Sequence, residues 1–152
     1  MICKAFELEK MDLKNKSFFL LYGENQGYKN EIIKAKFKKN YSENIFYYEE
    51  SEIIRNIENF FNTILTKSFF DNNKLIIINR VGDKILKIIE EIIEKKTEDI
   101  KIVLNANNLE KKSKLRSFFE KNKNIVCVPF YEDNNQTLQS IISKFSRNKE
   151  IP

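Results

Sequence analysis

Phe18-Phe19-Leu20-Leu21-Tyr22-Gly23-Glu24-Asn25-Gln26-Gly27-Tyr28-Lys29-Asn30 is the stretch on which the reading of the whole chain turns. Five apolar residues in a row, closed by a glycine, mark a strand buried on both faces. From Asn25 to Lys39 the apolar Ile32, Ile33, Ala35 and Phe37 lie among lysines, which predicts a helix. Working outward, short apolar runs alternate with longer amphipathic ones. Strands are predicted at Ile45–Tyr48, Leu75–Ile78, Ile102–Leu104 and Ile125–Val128, the last stopped by Pro129. A long helix opening at Glu50 or Ser51 is predicted from Ile53, Ile54, Ile57, Phe60, Phe61, Ile64 and Leu65, spaced by three and four. Asp83 is read as the cap of a helix through Ile85, Leu86, Ile88, Ile89, Ile92 and Ile93. Further helices are predicted from Ser113 to Glu120 and from Asn134 to Phe145. Strands separated by helices must be joined by crossovers, so the fold class is α/β. A mainly parallel five-stranded sheet should carry helices on both faces. Such sheets place their ligand sites at the carboxyl ends of the strands.

The turn after the first strand therefore has to be tested for phosphate chemistry. A working phosphate loop follows G-x-x-x-x-G-K-[ST]. Gly23 and Lys29 match the first glycine and the lysine. Tyr28 replaces the second glycine and Asn30 the hydroxyl residue. A side chain at the second glycine crowds the backbone off the phosphates, and loss of the hydroxyl removes a Mg²⁺ ligand. Gly27 stands one position early and is the candidate to compensate. After the third strand an ATPase needs a carboxylate for Mg²⁺ and the attacking water. Here Asn79-Arg80 follows, and no acid comes before Asp83. Asn105, where related ATPases place a polar sensor, is read as a turn residue. The loop is degenerate, and no catalytic residue, cofactor or metal is assigned.

Composition narrows the classes further. The chain has 152 residues, enough for one domain with a real core, and 41% of them are hydrophobic. It contains no histidine, which removes Ser-His-Asp and Cys-His nucleophiles and imidazole metal sites. Cys3 and Cys127 are too few for a disulfide framework and read as reduced core residues. No apolar run reaches the ~18 residues of a membrane span, and Met1 to Met11 lacks a signal-peptide core, so a cytoplasmic protein is expected. The formal charge is +5, and all of that excess falls between Lys95 and Lys123. In a chain rich in Lys, Asn, Ile and Phe this reads first as a solvated helix face, with a nucleic-acid face as the alternative.

One pair of residues resists the helical pattern. Phe69 and Phe70 are adjacent, and neighbours on a helix differ by ~100°, so both cannot face one core. They belong at a helix end or in a turn. Either they anchor in a hydrophobic pocket of a partner, or they cover the lower edge of the sheet.

Four stretches together resemble a known family. They are Phe19-Leu20-Leu21-Tyr22-Gly23-Glu24, Leu65-Thr66-Lys67-Ser68-Phe69-Phe70, Lys74-Leu75-Ile76-Ile77-Ile78-Asn79, and Leu109-Glu110-Lys111-Lys112-Ser113-Lys114-Leu115-Arg116. Their order is similar to the N-terminal domain of the delta subunit of the bacterial DNA polymerase III clamp loader. The resemblance implies a P-loop NTPase-like fold of AAA+ type that has lost ATP hydrolysis, within the polymerase holoenzyme. It implies a role in opening the sliding clamp so that it can be loaded on primed DNA. The family's clamp plug, typically Ser-Leu-Phe, falls on Ser68, Phe69 and Phe70, with Phe where Leu is usual. Implied partners are the clamp (the beta subunit), the gamma/tau and delta prime subunits, and primed DNA. Lys111, Lys112, Lys114 and Arg116 would touch DNA or a neighbouring subunit. Residues 1–146 would form the AAA+-like domain, and residues 147–152 would begin a linker to a lid domain. Three rival readings stand beside this one. They are an active small P-loop ATPase or kinase, a delta prime subunit (whose zinc-binding cysteines two distant Cys cannot supply), and a basic nucleic-acid-binding module.

Overall fold

The structure, a computed structural model, describes residues 1–40, 44–65, 73–95 and 99–131. The predicted strands are all present as β1 (Phe18–Tyr22), β2 (Ile45–Glu49), β3 (Lys74–Asn79), β4 (Ile100–Asn105) and β5 (Val126–Pro129). They form one five-stranded sheet in the order β2-β3-β4-β1-β5, and every neighbouring pair is parallel.

The alternation of β1 explains why both faces are covered. Phe19 and Leu21 enter a cluster with Leu8 of α1 (Ala5–Lys10), Ile32 of α2 (Gln26–Ile32) and Phe37. Leu20 and Tyr22 enter the opposite cluster. There they join Ile53 of α3 (Glu50–Arg55), Phe60 and Ile64 of α4 (Ile57–Leu65), Ile89 of α5 (Leu86–Glu94), and Leu115 and Phe119 of α6 (Lys114–Lys121). The α/β sheet with helices on both faces is therefore as expected. Cys3 and Cys127 are free thiols buried in opposite clusters. Burial pushes the Cys127 thiol up to about 12, so it is an inert apolar side chain at neutral pH. No helix among the described residues is long and apolar enough to cross a membrane.

The chain leaves β1 through α2 on one face, towards the far edge strand β2. It returns from β4 to β5 through α6 on the other face, stepping over β1. The two connections diverge at the carboxyl end of β1, which opens a crevice there.

Four details depart from the expected elements. The long helix is broken at Asn56, whose backbone is not helical (φ −149°, ψ 73°). Its side chain instead accepts from the Asn59 N–H at 3.1 Å and caps α4. The helix after β1 widens into a π-helical turn over Ile33–Phe37 and tightens over Lys38–Asn40. A wider turn accommodates the inward packing of Ile32, Ile33 and Phe37 together. α1 was not foreseen, because the first residues carry only one fully buried anchor, Leu8. Finally, Asp83 does not cap its own helix. Its Oδ1 accepts from Ser113 Oγ at 2.6 Å and from the Leu115 N–H at 3.2 Å, so it caps α6 across space. These hydrogen bonds hold its carboxyl below the ordinary value of 3.8. Stability from Asp83 is therefore complete above that value and is lost as pH falls through the lower native one. Asp83→Ala should cost about 1–2 kcal/mol at pH 7 by urea unfolding, and the gap to the parent should close on acidification. A gap that stayed constant down to pH 2 would refute this.

Candidate functional site

The crevice at the carboxyl ends of the strands is a polar cleft of about 280 Å³ lined by Gln26, Glu49, Asn79, Arg80, Asn105 and Asn107. Its base is a cross-strand row, because Glu49 pairs in register with Asn79 and Asn79 with Asn105. Asn105 Nδ2 donates to Asn79 Oδ1 at 3.0 Å. Asn105 is thus the buried last residue of β4 and not a turn residue. Where an ATPase would hold a carboxylate beside a polar sensor, this chain holds two amides joined by one hydrogen bond. Arg80, in the left-handed region (φ 54°), turns its guanidinium to Glu49 at 3.5 Å. Both partners reach solvent, so this pair orders the rim more than it stabilises the fold.

The turn beside the cleft is too short to cradle phosphate. β1 ends at Tyr22 and α2 begins at Gln26, which leaves only Gly23, Glu24 and Asn25 between them. Asn25 caps the helix by accepting from the Tyr28 N–H at 3.3 Å. A phosphate loop needs its backbone amides open to the ligand before the helix starts. Here Gly27 and Tyr28 already lie inside α2. A Cβ at Gly27 would meet nothing within 4 Å, so glycine is not required there and lines no cradle. The Tyr28 ring packs edge-on against Phe130 at 5.3 Å, and its hydroxyl donates to Glu9 Oε1 at 3.2 Å. The second-glycine position is thereby used to fasten α1 and β5 to α2.

Lys29 is turned inward. It is 0% exposed, and its Nζ donates to the Ala106 carbonyl at 2.7 Å, just past β4. Burial lowers its amine to about 8. The residue that matched a phosphate-binding lysine is spent on tying α2 to the end of β4.

The basic candidates divide. Lys111, Lys112 and Lys114 are exposed on the turn into α6 and its first residue, with Lys112 paired to Glu110 at 3.3 Å. Arg116 faces the protein. It donates to the Leu109 carbonyl at 2.8 Å and to Glu120 at 3.3 Å, and its guanidinium lies over the Tyr22 ring at 4.9 Å. Ser68, Phe69 and Phe70 lie outside the described residues, as does the helix predicted from Asn134 to Phe145. What sequence reading missed is the number of lysines committed to backbone carbonyls. Besides Lys29, Lys16, Lys36, Lys74 and Lys101 each donate to one. No local pattern distinguishes such a lysine from a solvated one.

The fold and the cleft together define an open parallel α/β domain whose switch point carries no phosphate-binding loop. A family model described as DNA polymerase III, delta subunit, matches residues 19–128, and the chain belongs to that family. It is therefore a delta-type clamp-loader subunit of DNA replication. No curated protein matches the chain.

Proposed function

We propose that this domain binds the sliding clamp through Phe69 and Phe70, presented after Ser68, and helps to open the ring without hydrolysing ATP. The observation that carries the reading is a switch point closed from within, in a chain of the delta family. A domain with Lys29 bonded to Ala106, and with no open loop before α2, does work by binding energy. Ser68, Phe69 and Phe70 fall inside the matched region, between the end of α4 and the start of β3. Two adjacent phenylalanines supply ~1.5–3 kcal/mol of transfer free energy each before ordering costs are subtracted. Opening requires that the open ring be bound more tightly than the closed one, since equal affinity shifts nothing. The gamma/tau and delta prime subunits and primed DNA complete the set of partners.

Phe69→Ala and Phe70→Ala should each weaken clamp binding by about tenfold, and the pair by about a hundredfold, by calorimetry against the purified clamp. Unchanged affinity in the double variant would sink the assignment. A second reading is supported by the exposure of Lys111, Lys112 and Lys114. These three side chains suit a phosphate backbone or an acidic neighbouring subunit, whereas Arg116 has an internal role.

A further inference from the structure

We propose that the cleft at the carboxyl ends of the strands is one half of a groove that binds single-stranded nucleic acid. The inference goes beyond the clamp reading and does not rest on it. A second hollow of about 160 Å³ adjoins the cleft, and Lys38, Tyr47 and Ile77 lie in its wall. Asn79 and Asn105 line both spaces, so the two are continuous. The groove therefore crosses the ends of β2, β3 and β4, from Tyr47 on the edge strand to Asn107 just past β4.

The middle of the groove is an amide pair with bonding capacity left over. Asn105 Nδ2 donates to Asn79 Oδ1, which leaves the Asn79 Nδ2 donor and the Asn105 Oδ1 acceptor. Neither is a buried atom without a partner, so both reach solvent in the groove. A donor beside an acceptor complements the edge of an unpaired base. At one end the Tyr47 ring is 54% exposed, with Lys38 Nζ over it at 5.0 Å. At the other end stands Arg80, whose φ of 54° strains a residue that carries a Cβ and would not strain glycine. Its side chain is 79% exposed, and Nε alone is engaged, by Glu49 Oε2 at 3.5 Å. So exposed a pair contributes little to stability. Among the described residues the two Nη groups have no partner, and they form the edge of a guanidinium that takes phosphate. Contacts within the domain thus do not account for an arginine at this strained position.

The arrangement favours a strand over the other forms of nucleotide. A cation in each half, with a ring and an amide pair on the same path, matches the phosphodiesters and bases that succeed one another along a single strand. A free nucleotide concentrates its charge on one terminal phosphate group, and the closed turn before α2 offers such a group no open amides. A duplex keeps its base faces stacked, so Tyr47 would find none to stack on. Glu49 is the one acid among the lining residues, and Arg80 offsets it.

The test is fluorescence anisotropy of this chain with a labelled oligo(dT) of about ten nucleotides, with thermal midpoints measured for every variant. Two phosphate contacts to a single strand predict that affinity falls about sevenfold between about 50 and 200 mM salt. Tyr47→Ala should weaken binding about tenfold, and Tyr47→Phe should stay within about twofold of the parent. Lys38→Ala and Arg80→Ala should each weaken it about fivefold at the lower salt and reduce the slope of log affinity against log salt by about 0.7. If Tyr47→Ala fails to fold, the Lys38→Ala/Arg80→Ala pair decides, since it should remove nearly all of the salt dependence. No binding at about 50 mM salt would overturn the proposal. So would binding that ignores the Tyr47, Lys38 and Arg80 changes and is lost in a Lys111→Ala/Lys112→Ala/Lys114→Ala variant, which would place the strand on the turn into α6. Competition by dTMP at concentrations as low as those of unlabelled oligo(dT), or equal affinity for a blunt duplex, would also overturn it. None of these outcomes bears on the Phe69→Ala/Phe70→Ala test of clamp binding.

Discussion

Gly23→Ala should destabilise the domain by on the order of 4 kcal/mol, or abolish its cooperative unfolding transition altogether. Two independent effects add at this residue. Its φ is +122°, a region that residues with a Cβ rarely adopt. A Cβ placed there would also stand 1.9 Å from the Phe130 carbonyl oxygen and 2.5 Å from its carbon. Those atoms are backbone, and they cannot rotate away. Phe130 N–H donates to the Tyr22 carbonyl at 2.6 Å, and Gly23 N–H donates to the Asn107 carbonyl at 2.8 Å. The glycine is therefore pinned between the ends of β4 and β5, and relief would require breaking the parallel pairing of β1. In an active P-loop enzyme the first glycine serves a phosphate-binding turn. Here it serves close packing of three strand ends, and its loss should be read by urea unfolding and not by nucleotide affinity. A loss of less than about 1 kcal/mol would show that the strand ends separate easily, contrary to this packing.

Lys29→Met should stabilise the domain at pH 7 and destabilise it slightly at pH 11, so that the two pH profiles cross. The native amine titrates near 8, against an ordinary 10.5 in the unfolded chain. Between those values the unfolded chain holds a proton that the native state has released, so parent stability rises with pH. The interval corresponds to at most about 3 kcal/mol, present as a cost at pH 7 and relieved by pH 11. Methionine has a similar shape and no charge, so it escapes that cost. It also leaves the Ala106 carbonyl without its 2.7 Å donor, which costs about 1 kcal/mol at every pH. The net expectation is a gain of about 2 kcal/mol at pH 7, almost no difference at pH 10 and a loss of about 1 kcal/mol at pH 11. Because Cys127 and the tyrosines titrate in both proteins, they cancel in the difference. A variant less stable than the parent at pH 7, with a flat difference up to pH 11, would show that Lys29 is not buried as a strained cation. A stabilised variant would show that this lysine persists at a cost, which is the mark of a binding residue taken over for structure.

The sheet was legible because its signal is local. Leu75 to Ile78 and Phe18 to Tyr22 are continuous apolar runs, and such runs separated by helical periods admit few topologies. The register and the β2-β3-β4-β1-β5 order required the folded chain. The break at Asn56 was hidden because Ile54 and Ile57 keep the three-residue spacing across it. The candidate site was legible in part. The departure of Tyr28 and Asn30 from the phosphate-loop pattern is plain along the chain. What the folded chain adds is that α2 begins at Gln26, which no motif comparison reveals.

By itself, the sequence determined the α/β class, the absence of imidazole chemistry, the degenerate loop and the resemblance to the delta family. Each of these follows from residue type and near-neighbour spacing. Only the tertiary structure decided what the charged and polar residues do. Lys29 goes to Ala106, Lys74 to Thr63, Lys101 to Leu13, Asp83 to Ser113 and Arg116 to Leu109. A lysine destined for solvent and one destined for a distant carbonyl look alike along the chain. Burying an ammonium is unfavourable unless an acceptor waits in place, and where acceptors wait is set by the packing of strands and helices far apart in sequence.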